Sequence, residues 1–137
     1  DLMSETRNVI EHYFGALQAG EYARAFGMMS DDVNYVITGS TKISKSYDGL
    51  AGLQSELLPF MGEVFKENIK FTLIDIIVEG DRGVVIATGK ADAAHGEYNQ
   101  QYCFYLTVRD GKIVSKLEMV DSLPVETALL GNKLVRG

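Results

Sequence analysis

An acidic residue follows apolar neighbours at two-residue spacing in the stretch LEMVD, residues 117–121. Side chains alternate across a β-strand, so Ile113, Ser115, Leu117, Met119 and Asp121 are expected to share one face. If that face lines an apolar cavity, desolvation favours the neutral Asp121 carboxyl and suits it to general acid or base chemistry. The alternative is a solvated aspartate that caps the Ser-Leu-Pro turn after the strand. Spacing alone leaves both interpretations open.

Two more charged residues, Lys90 and Asp92, fall on a common face of a second strand-like run, GVVIATGKADAAH (83–95). A cation two residues from a carboxylate could belong to a site for acid and base chemistry. It could equally be a surface ion pair near a strand end, which contributes little to stability.

A tyrosine lies on the apolar side of the first predicted helix. Val9, Ile10, Tyr13, Phe14 and Leu17 follow helical spacing, Ser4 is a suitable N-cap, and Gly20 closes the segment. A tyrosine there can bring its hydroxyl to a cavity while its ring packs in the core. A plain core tyrosine is the alternative.

The elements that would position these residues follow in a simple order. A short second helix places Tyr22, Phe26 and Met29 on one face, and VNYVIT (33–38) predicts a strand. A third helix runs from about Leu50 to Val64, where Pro59 predicts a kink or an early break. Four long strand-like runs come next, separated by turn residues at Gly80-Asp81, Gly96-Glu97 and Asp110-Gly111.

Helices followed by a meander of strands predict a single α+β domain over residues 1–137. The apolar helix faces must be buried, and one face of the sheet is the partner large enough to bury them. We therefore expect a curved antiparallel sheet wrapped over three N-terminal helices, with a hollow between the two layers.

Composition excludes several classes of function. The net charge of −6 argues against nucleic-acid binding, which needs clustered Lys and Arg. The one cysteine, Cys103, excludes an internal disulfide and a Cys-based zinc site, and the two histidines lack an acidic cluster for another metal. No phosphate-binding glycine loop and no long apolar span occurs. We expect a cytoplasmic protein without membrane association, metal or cofactor.

Longer stretches resemble a known family. They are HYFGALQAGEYARAFGMMSDDVNYVITG, YDGLAGL and YNQQYCFYLTVRDGKIVSKLEMVD. The sequence resembles the nuclear transport factor 2-like (NTF2-like) superfamily, and within it the SnoaL-like polyketide cyclase and ketosteroid isomerase group. The resemblance implies a cone of curved sheet over helices, a deep apolar pocket, and dimers through the outer sheet face.

The resemblance also assigns roles. It makes Asp121 the acid/base aspartate at the end of its strand, and Tyr13 a hydroxyl that donates to a developing oxyanion. It gives Asn99, which opens the aromatic strand, a possible hydrogen bond to a ligand carbonyl. The isomerase base position holds Ile37 and the second oxyanion donor falls near Tyr102 or Cys103, so a faithful steroid isomerase is not expected.

The Lys90-Ala-Asp92 triplet with the distant Asp121 resembles the Arg-x-Asp plus Asp of limonene-epoxide-hydrolase-type members. In that chemistry one carboxylate activates water, the other acid protonates the epoxide oxygen, and the cation orients both. Here the cation is a lysine, which lacks the bidentate geometry of arginine.

The leading prediction is a small cofactor-independent enzyme that isomerises, cyclises or hydrates an apolar carbonyl- or epoxide-bearing molecule. Asp121, Tyr13, Asp92 and Lys90 are the predicted catalytic residues. The predicted substrate contacts are Tyr102, Phe104, Asn99, Met119, Leu117 and Phe26. The alternatives are epoxide hydrolysis by Asp92 and Asp121, or a non-catalytic ligand-binding or dimerisation domain.

A homodimer through the outer sheet face is also predicted. ADAA (91–94) and LIDIIV (73–78) are expected to leave small or apolar side chains on the side away from the helices. Such an exposed apolar patch favours a partner surface.

Overall fold

A computed structural model describes all of residues 1–137. Its helical segments are α1 (Leu2–Gln18), α2 (Tyr22–Gly27), α3 (Gly49–Gly52), the π turn π1 (Leu53–Leu57), α4 (Leu58–Val64), α5 (Ser122–Pro124) and the π turn π2 (Val125–Leu129). Its strands are β1 (Met29–Ile37), β2 (Ser46–Asp48), β3 (Lys70–Glu79), β4 (Arg82–Ala93), β5 (Gly96–Arg109) and β6 (Lys112–Val120).

The six strands form one curved, unclosed sheet in the order β2-β1-β6-β5-β4-β3. Strands β3 to β6 form the expected antiparallel meander, and β2 is antiparallel to β1. The β1–β6 pair is parallel, which places Tyr35 beside Lys116 and Ile37 beside Glu118. The α+β prediction, a curved sheet over N-terminal helices, is confirmed, and the parallel pair is an addition to it.

Helix α1 lies across the concave face of the sheet. It begins two residues before the predicted N-cap, because the Asp1 side chain accepts a hydrogen bond from the Ser4 N–H at 2.9 Å. Its inward residues Ile10, Tyr13 and Phe14 are fully buried. The Phe14 ring lies 4.9 Å from that of Phe104 on β5, so the helix and the sheet share one aromatic core.

Pro59 distorts the helical segment that follows β2. The chain passes from α3 through π1 into α4, with the proline in the first turn of α4. Proline has no N–H to donate and its ring crowds the preceding turn, and a wider turn before it accommodates both effects. The predicted break is therefore a π turn within a continuous helical stretch.

The C-terminal segment α5–π2 was not predicted. It buries Val125, Ala128 and Leu129, and the His95 N–H donates to the Ala128 carbonyl at 2.9 Å. The segment thus covers the end of the sheet at the β4–β5 turn. None of the helices combines the length and the apolar character that crossing a bilayer demands.

The outer sheet face differs from the prediction at one point. Ala91 and Ala93 of the ADAA stretch are buried on the helix side, since the strand places alternate residues inward. The apolar side chains that are exposed on the outer face come from β3, β4, β5 and β6: Ile74, Ile77, Ile86, Tyr105 and Met119.

Candidate active site

A cavity of about 90 Å³ lies between the helices and the concave face of the sheet. Eighteen of its twenty lining residues are hydrophobic or aromatic. The apolar wall includes Leu17, Phe26, Leu53, Leu57, Phe60, Met61, Phe71 and Leu129. The expected hollow is therefore present, and its mostly apolar wall with a few polar groups is typical of small-molecule sites.

A β-bulge decides which residues of β6 face this cavity. Val108 of β5 pairs with Ile113, whereas Thr107 pairs with Ser115, so Val114 is the extra residue. An extra residue in one strand reverses the faces of all residues beyond it. Ile113 is buried as expected, but after the bulge Lys116 and Glu118 point inward.

The expected inward direction of Asp121, Leu117 and Met119 is therefore wrong. All three were placed by counting in twos from Ile113, and the bulge shifts that count by one residue. Met119 is 39% exposed on the outer face. Asp121 is exposed, and its side chain accepts a hydrogen bond from the Leu123 N–H at 3.1 Å as the N-cap of α5. The capping alternative for Asp121 describes its position.

Four polar side chains meet at the floor of the cavity instead. Lys116 Nζ donates to Tyr13 Oη at 2.8 Å and to Tyr35 Oη at 3.1 Å. The Tyr35 hydroxyl donates to Glu118 Oε1 at 3.0 Å, and Lys116 Nζ lies 3.8 Å from the same oxygen. We name Tyr13, Tyr35, Lys116 and Glu118 the polar cluster.

Aromatic rings enclose the Lys116 ammonium. Its Nζ lies 4.8 Å from the ring centroids of Tyr13, Tyr35 and Phe104, and the lysine side chain is 3% exposed. Cation–π attraction and the nearby carboxylate offset part of the cost of burying this charge. Phe104, predicted to contact substrate, is fully buried beneath the ammonium.

The carboxyl of Glu118 is unusual because it is largely buried. Desolvation raises its pKa above the ordinary value, and the Lys116 charge and the Tyr35 hydrogen bond oppose part of that rise. No buried side-chain oxygen or nitrogen lacks a hydrogen-bond partner. Oε2 of Glu118 has no protein donor, so it must be an accessible atom, and the residue lines the cavity.

A second polar group lies further along β5. Tyr98 Oη and Tyr102 Oη are 3.2 Å apart, and both side chains line the cavity. The buried Gln100 donates through Nε2 to Tyr98 Oη at 3.0 Å and to the Asp121 carbonyl at 2.8 Å. Burial raises the pKa of Tyr98 to about 12 and raises that of Tyr102 well above its usual value. Both hydroxyls therefore keep their protons at neutral pH.

The remaining predicted site residues are divided between the cavity and the outside. Tyr13, Phe26 and Tyr102 line the cavity. Lys90 is exposed and pairs with Glu97 at 2.9 Å, and Asp92 and Asn99 are exposed on the same outer face of the sheet. Neither Asp92 nor Asp121 lines the cavity, so the structure does not bring the two carboxylates together there.

Tyr35, Lys116 and Glu118 were missed as site residues. The signal was the Lys-x-Glu pair in VSKLEMV (114–120), two charges on one face of a strand in an otherwise apolar region. Counting in twos from Ile113 put Lys116 and Glu118 on the face opposite Leu117 and Met119. In this fold they are paired with each other and with two tyrosines.

Comparisons with known proteins find the same fold. The SnoaL-like domain profile matches residues 10–116. Bal32a from a soil-derived mobile gene cassette is 13% identical with a TM-score of 0.82, over 94% of this chain and 99% of that one. An LEH-like epoxide hydrolase of M. tuberculosis is 19% identical with a TM-score of 0.74, over 93% and 91% of the two chains.

A putative SnoaL-like polyketide cyclase from Jannaschia sp. CCS1 is 14% identical with a TM-score of 0.77, over 96% of each chain. At these identities the structural likeness shows the fold alone. No functionally curated protein matches the sequence. Because the matched profile spans most of the residues, the chain belongs to the SnoaL-like domain family.

Proposed function

We propose that the protein is a cofactor-independent enzyme that moves a proton at the carbon next to a carbonyl group of a small apolar substrate. The observation that carries the proposal is the polar cluster, in which one ammonium lies 2.8 Å from a phenol oxygen and 3.8 Å from a carboxylate oxygen. Most of the rest of the cavity wall is apolar, and low-polarity surroundings strengthen electrostatic interactions.

Glu118 is the proposed base. Its Oε2 is free to approach a substrate C–H, while Oε1 is held by the Tyr35 hydroxyl. A carboxyl whose pKa is raised by burial is a stronger base than a solvated one, yet it is still ionised once the pH exceeds that raised value. The same carboxyl can then return the proton to a different atom of the substrate.

Tyr13 is the proposed donor to the substrate oxygen. Its oxygen accepts a hydrogen bond from Lys116 Nζ, and its own O–H has no acceptor within the protein. The ammonium polarises that O–H bond and makes it a better donor to an oxyanion. As Glu118 removes the proton, the C–H electron pair forms the new C=C bond and the carbonyl π pair moves to the oxygen, so the enolate oxygen lies opposite Tyr13.

The enolate has two possible outcomes, so the reaction class is isomerisation or aldol-type cyclisation. Return of the proton at another carbon isomerises the substrate, and attack of the enolate carbon on a second carbonyl closes a ring. Epoxide hydrolysis by a pair of aspartates has less support, because Glu118 is the one carboxylate that lines the cavity.

Hydrogen–deuterium exchange next to a carbonyl tests the proposal without the natural substrate. We expect the protein to accelerate exchange at the α-carbon of cyclic ketones such as 2-tetralone in D₂O, followed by NMR. Glu118→Gln should lower the rate by about 10²–10⁴-fold. Tyr13→Phe should lower it by about 10²-fold, the usual effect of losing one oxyanion donor.

Asp121→Asn is the matched control, since Asp121 lies three residues from Glu118 but is exposed, and asparagine is also a good N-cap. It should exchange at the wild-type rate. Binding of the ketones without any acceleration of exchange would instead favour the non-catalytic binding domain.

A further inference from the structure

The cavity contains a second polar subsite that the proposed proton transfer does not use. It is formed by the hydroxyls of Tyr98 and Tyr102, whose side chains are 3% and 5% exposed. Both residues line the cavity, and the hydrogen bonds of their hydroxyls can be counted.

Gln100 fixes the direction of those hydrogen bonds. Its Oε1 accepts from two backbone N–H groups, those of Gln101 and Asp121, each at 2.8 Å. The other end of the amide must therefore be the NH₂ group, which donates to the Asp121 carbonyl and to Tyr98 Oη. A glutamine held by four hydrogen bonds cannot rotate to accept from a tyrosine.

The count leaves one hydroxyl hydrogen without an acceptor in the protein. Tyr98 and Tyr102 have two hydroxyl hydrogens, and one of them is used in the 3.2 Å contact between the two oxygens. Gln100 acts on Tyr98 as a donor only, so it offers no acceptor for the other. Whichever tyrosine donates to its neighbour, the remaining hydrogen has no acceptor in the protein and requires one from a ligand or water.

Packing holds both rings in place. Tyr102 stacks on Phe104 with the centroids 4.9 Å apart and the planes 14° apart, and Tyr98 meets the Phe65 ring edge-on at 5.1 Å. The subsite is therefore organised before a ligand enters, which lowers the entropy cost of binding.

The subsite lies beyond Glu118 as seen from Tyr13. On the β5–β6 ladder, Lys116 pairs with Leu106, Glu118 with Phe104, and Val120 with Tyr102. Tyr13 bonds to the Lys116 end of this row, and the tyrosine pair occupies the Val120 end. Glu118 stands between the two donors.

Resting on the proposed function, we propose that the substrate carries two hydrogen-bond-accepting oxygens on an apolar ring framework, one bound by Tyr13 and the other by the Tyr98–Tyr102 pair. A cyclic diketone, a quinone or a hydroxyketone fits this description. The carbon whose proton Glu118 removes lies between or beside the two oxygens, where a second carbonyl makes that proton more acidic.

A matched pair of non-reacting ligands tests the subsite separately from catalysis. The probes are 2,2-dimethyl-1-indanone and 2,2-dimethyl-1,3-indandione, which differ by one carbonyl and have no α-hydrogen between or beside the carbonyls to exchange. Calorimetry with the wild-type protein should show the dione bound about fivefold to tenfold more tightly, the effect of one additional hydrogen bond in a desolvated site.

The probe affinities of the variants should follow a pattern that a merely structural role of the two tyrosines would not produce. Tyr98→Phe leaves the Tyr102 hydrogen free, and Tyr102→Phe leaves the Tyr98 hydrogen free, so at least one single variant should keep a preference for the dione. The double variant has no such hydrogen and should bind both probes equally. Tyr47→Phe is the control, because Tyr47 does not line the cavity and its buried hydroxyl donates to the Ile43 carbonyl.

Equal affinity of the wild-type protein for the two probes would overturn the proposal, as would a double variant that still prefers the dione. Thermal unfolding of each variant checks that it folds. Ketone exchange that depends on Glu118, together with no dione preference, would remove the subsite and leave the proposed function standing. A dione preference without catalysed exchange would remove the proposed function and leave the subsite standing.

Discussion

Replacing Lys116 by methionine tests the electrostatics of the polar cluster, because it removes the ammonium but keeps a long apolar side chain. The change leaves Glu118, whose side chain is 14% exposed, without its cation. Loss of one partner from a buried ion pair costs about 3–5 kcal/mol when the other partner stays ionised. That is a large part of the total stability of about 5–15 kcal/mol typical for a domain.

The loss of stability in the variant should depend on pH, because Glu118 can become neutral by taking up a proton. Burial already raises its folded-state pKa, and Lys116 lowers it, so the variant should have a still higher pKa. A carboxyl with a raised folded pKa contributes stability at low pH, and that contribution is lost as the pH rises through the folded value. Between the unfolded pKa and the raised folded pKa, each pH unit costs about 1.4 kcal/mol, and above the folded pKa the stability stops changing.

Urea unfolding at pH 5 and pH 8 measures the effect. We expect Lys116→Met to lose about 3 kcal/mol at pH 8 and at least about 1 kcal/mol less than that at pH 5. Adding Glu118→Leu should recover most of the loss at pH 8 and remove the pH dependence. Lys90→Met is the control, since that exposed lysine pairs with Glu97 on the outer face and should leave stability nearly unchanged.

Two results would refute this reasoning. One is an equal loss for Lys116→Met at pH 5 and pH 8, which would mean that Glu118 does not respond to the missing charge. The other is a double variant as unstable as the single one, which would assign the loss to packing instead of to an unpaired carboxylate.

Three other measurements test separate features of the molecule. The α-proton exchange rate should rise with pH as Glu118 ionises, with a midpoint above 4.5, and a midpoint at or below that value would contradict its burial. Gly89→Ala should cost about 1–3 kcal/mol in urea unfolding, because the new Cβ would lie 2.6 Å from Tyr102 Cε2; an unchanged midpoint would show that the ring moves freely. Light scattering should give a homodimer that Ile86→Glu converts to a monomer, since Ile86 and Met119 are exposed on the outer sheet face; a wild-type monomer would remove the dimer prediction.

The architecture could be predicted from the sequence because its signals are local. Helical spacing around Tyr13 and Phe14, turn residues between the long strands, and the order of helices before strands all depend on neighbours along the chain. The same signals gave an apolar hollow and placed Tyr13, Phe26 and Tyr102 on its wall. The C-terminal segment Ser122–Leu129 was missed, since it is short and its apolar residues are buried only by tertiary contacts.

The sequence by itself determined that β6 alternates between two sets of side chains, Leu117 with Met119 and Asp121, and Lys116 with Glu118. Only the tertiary structure decided which set faces the cavity. A bulge at Val114 shifts the β5–β6 register by one residue, and the parallel neighbour β1 then brings Tyr35 against the inward charges. A bulge depends on pairing with another strand, and a period of two residues turns that single extra residue into a complete exchange of faces.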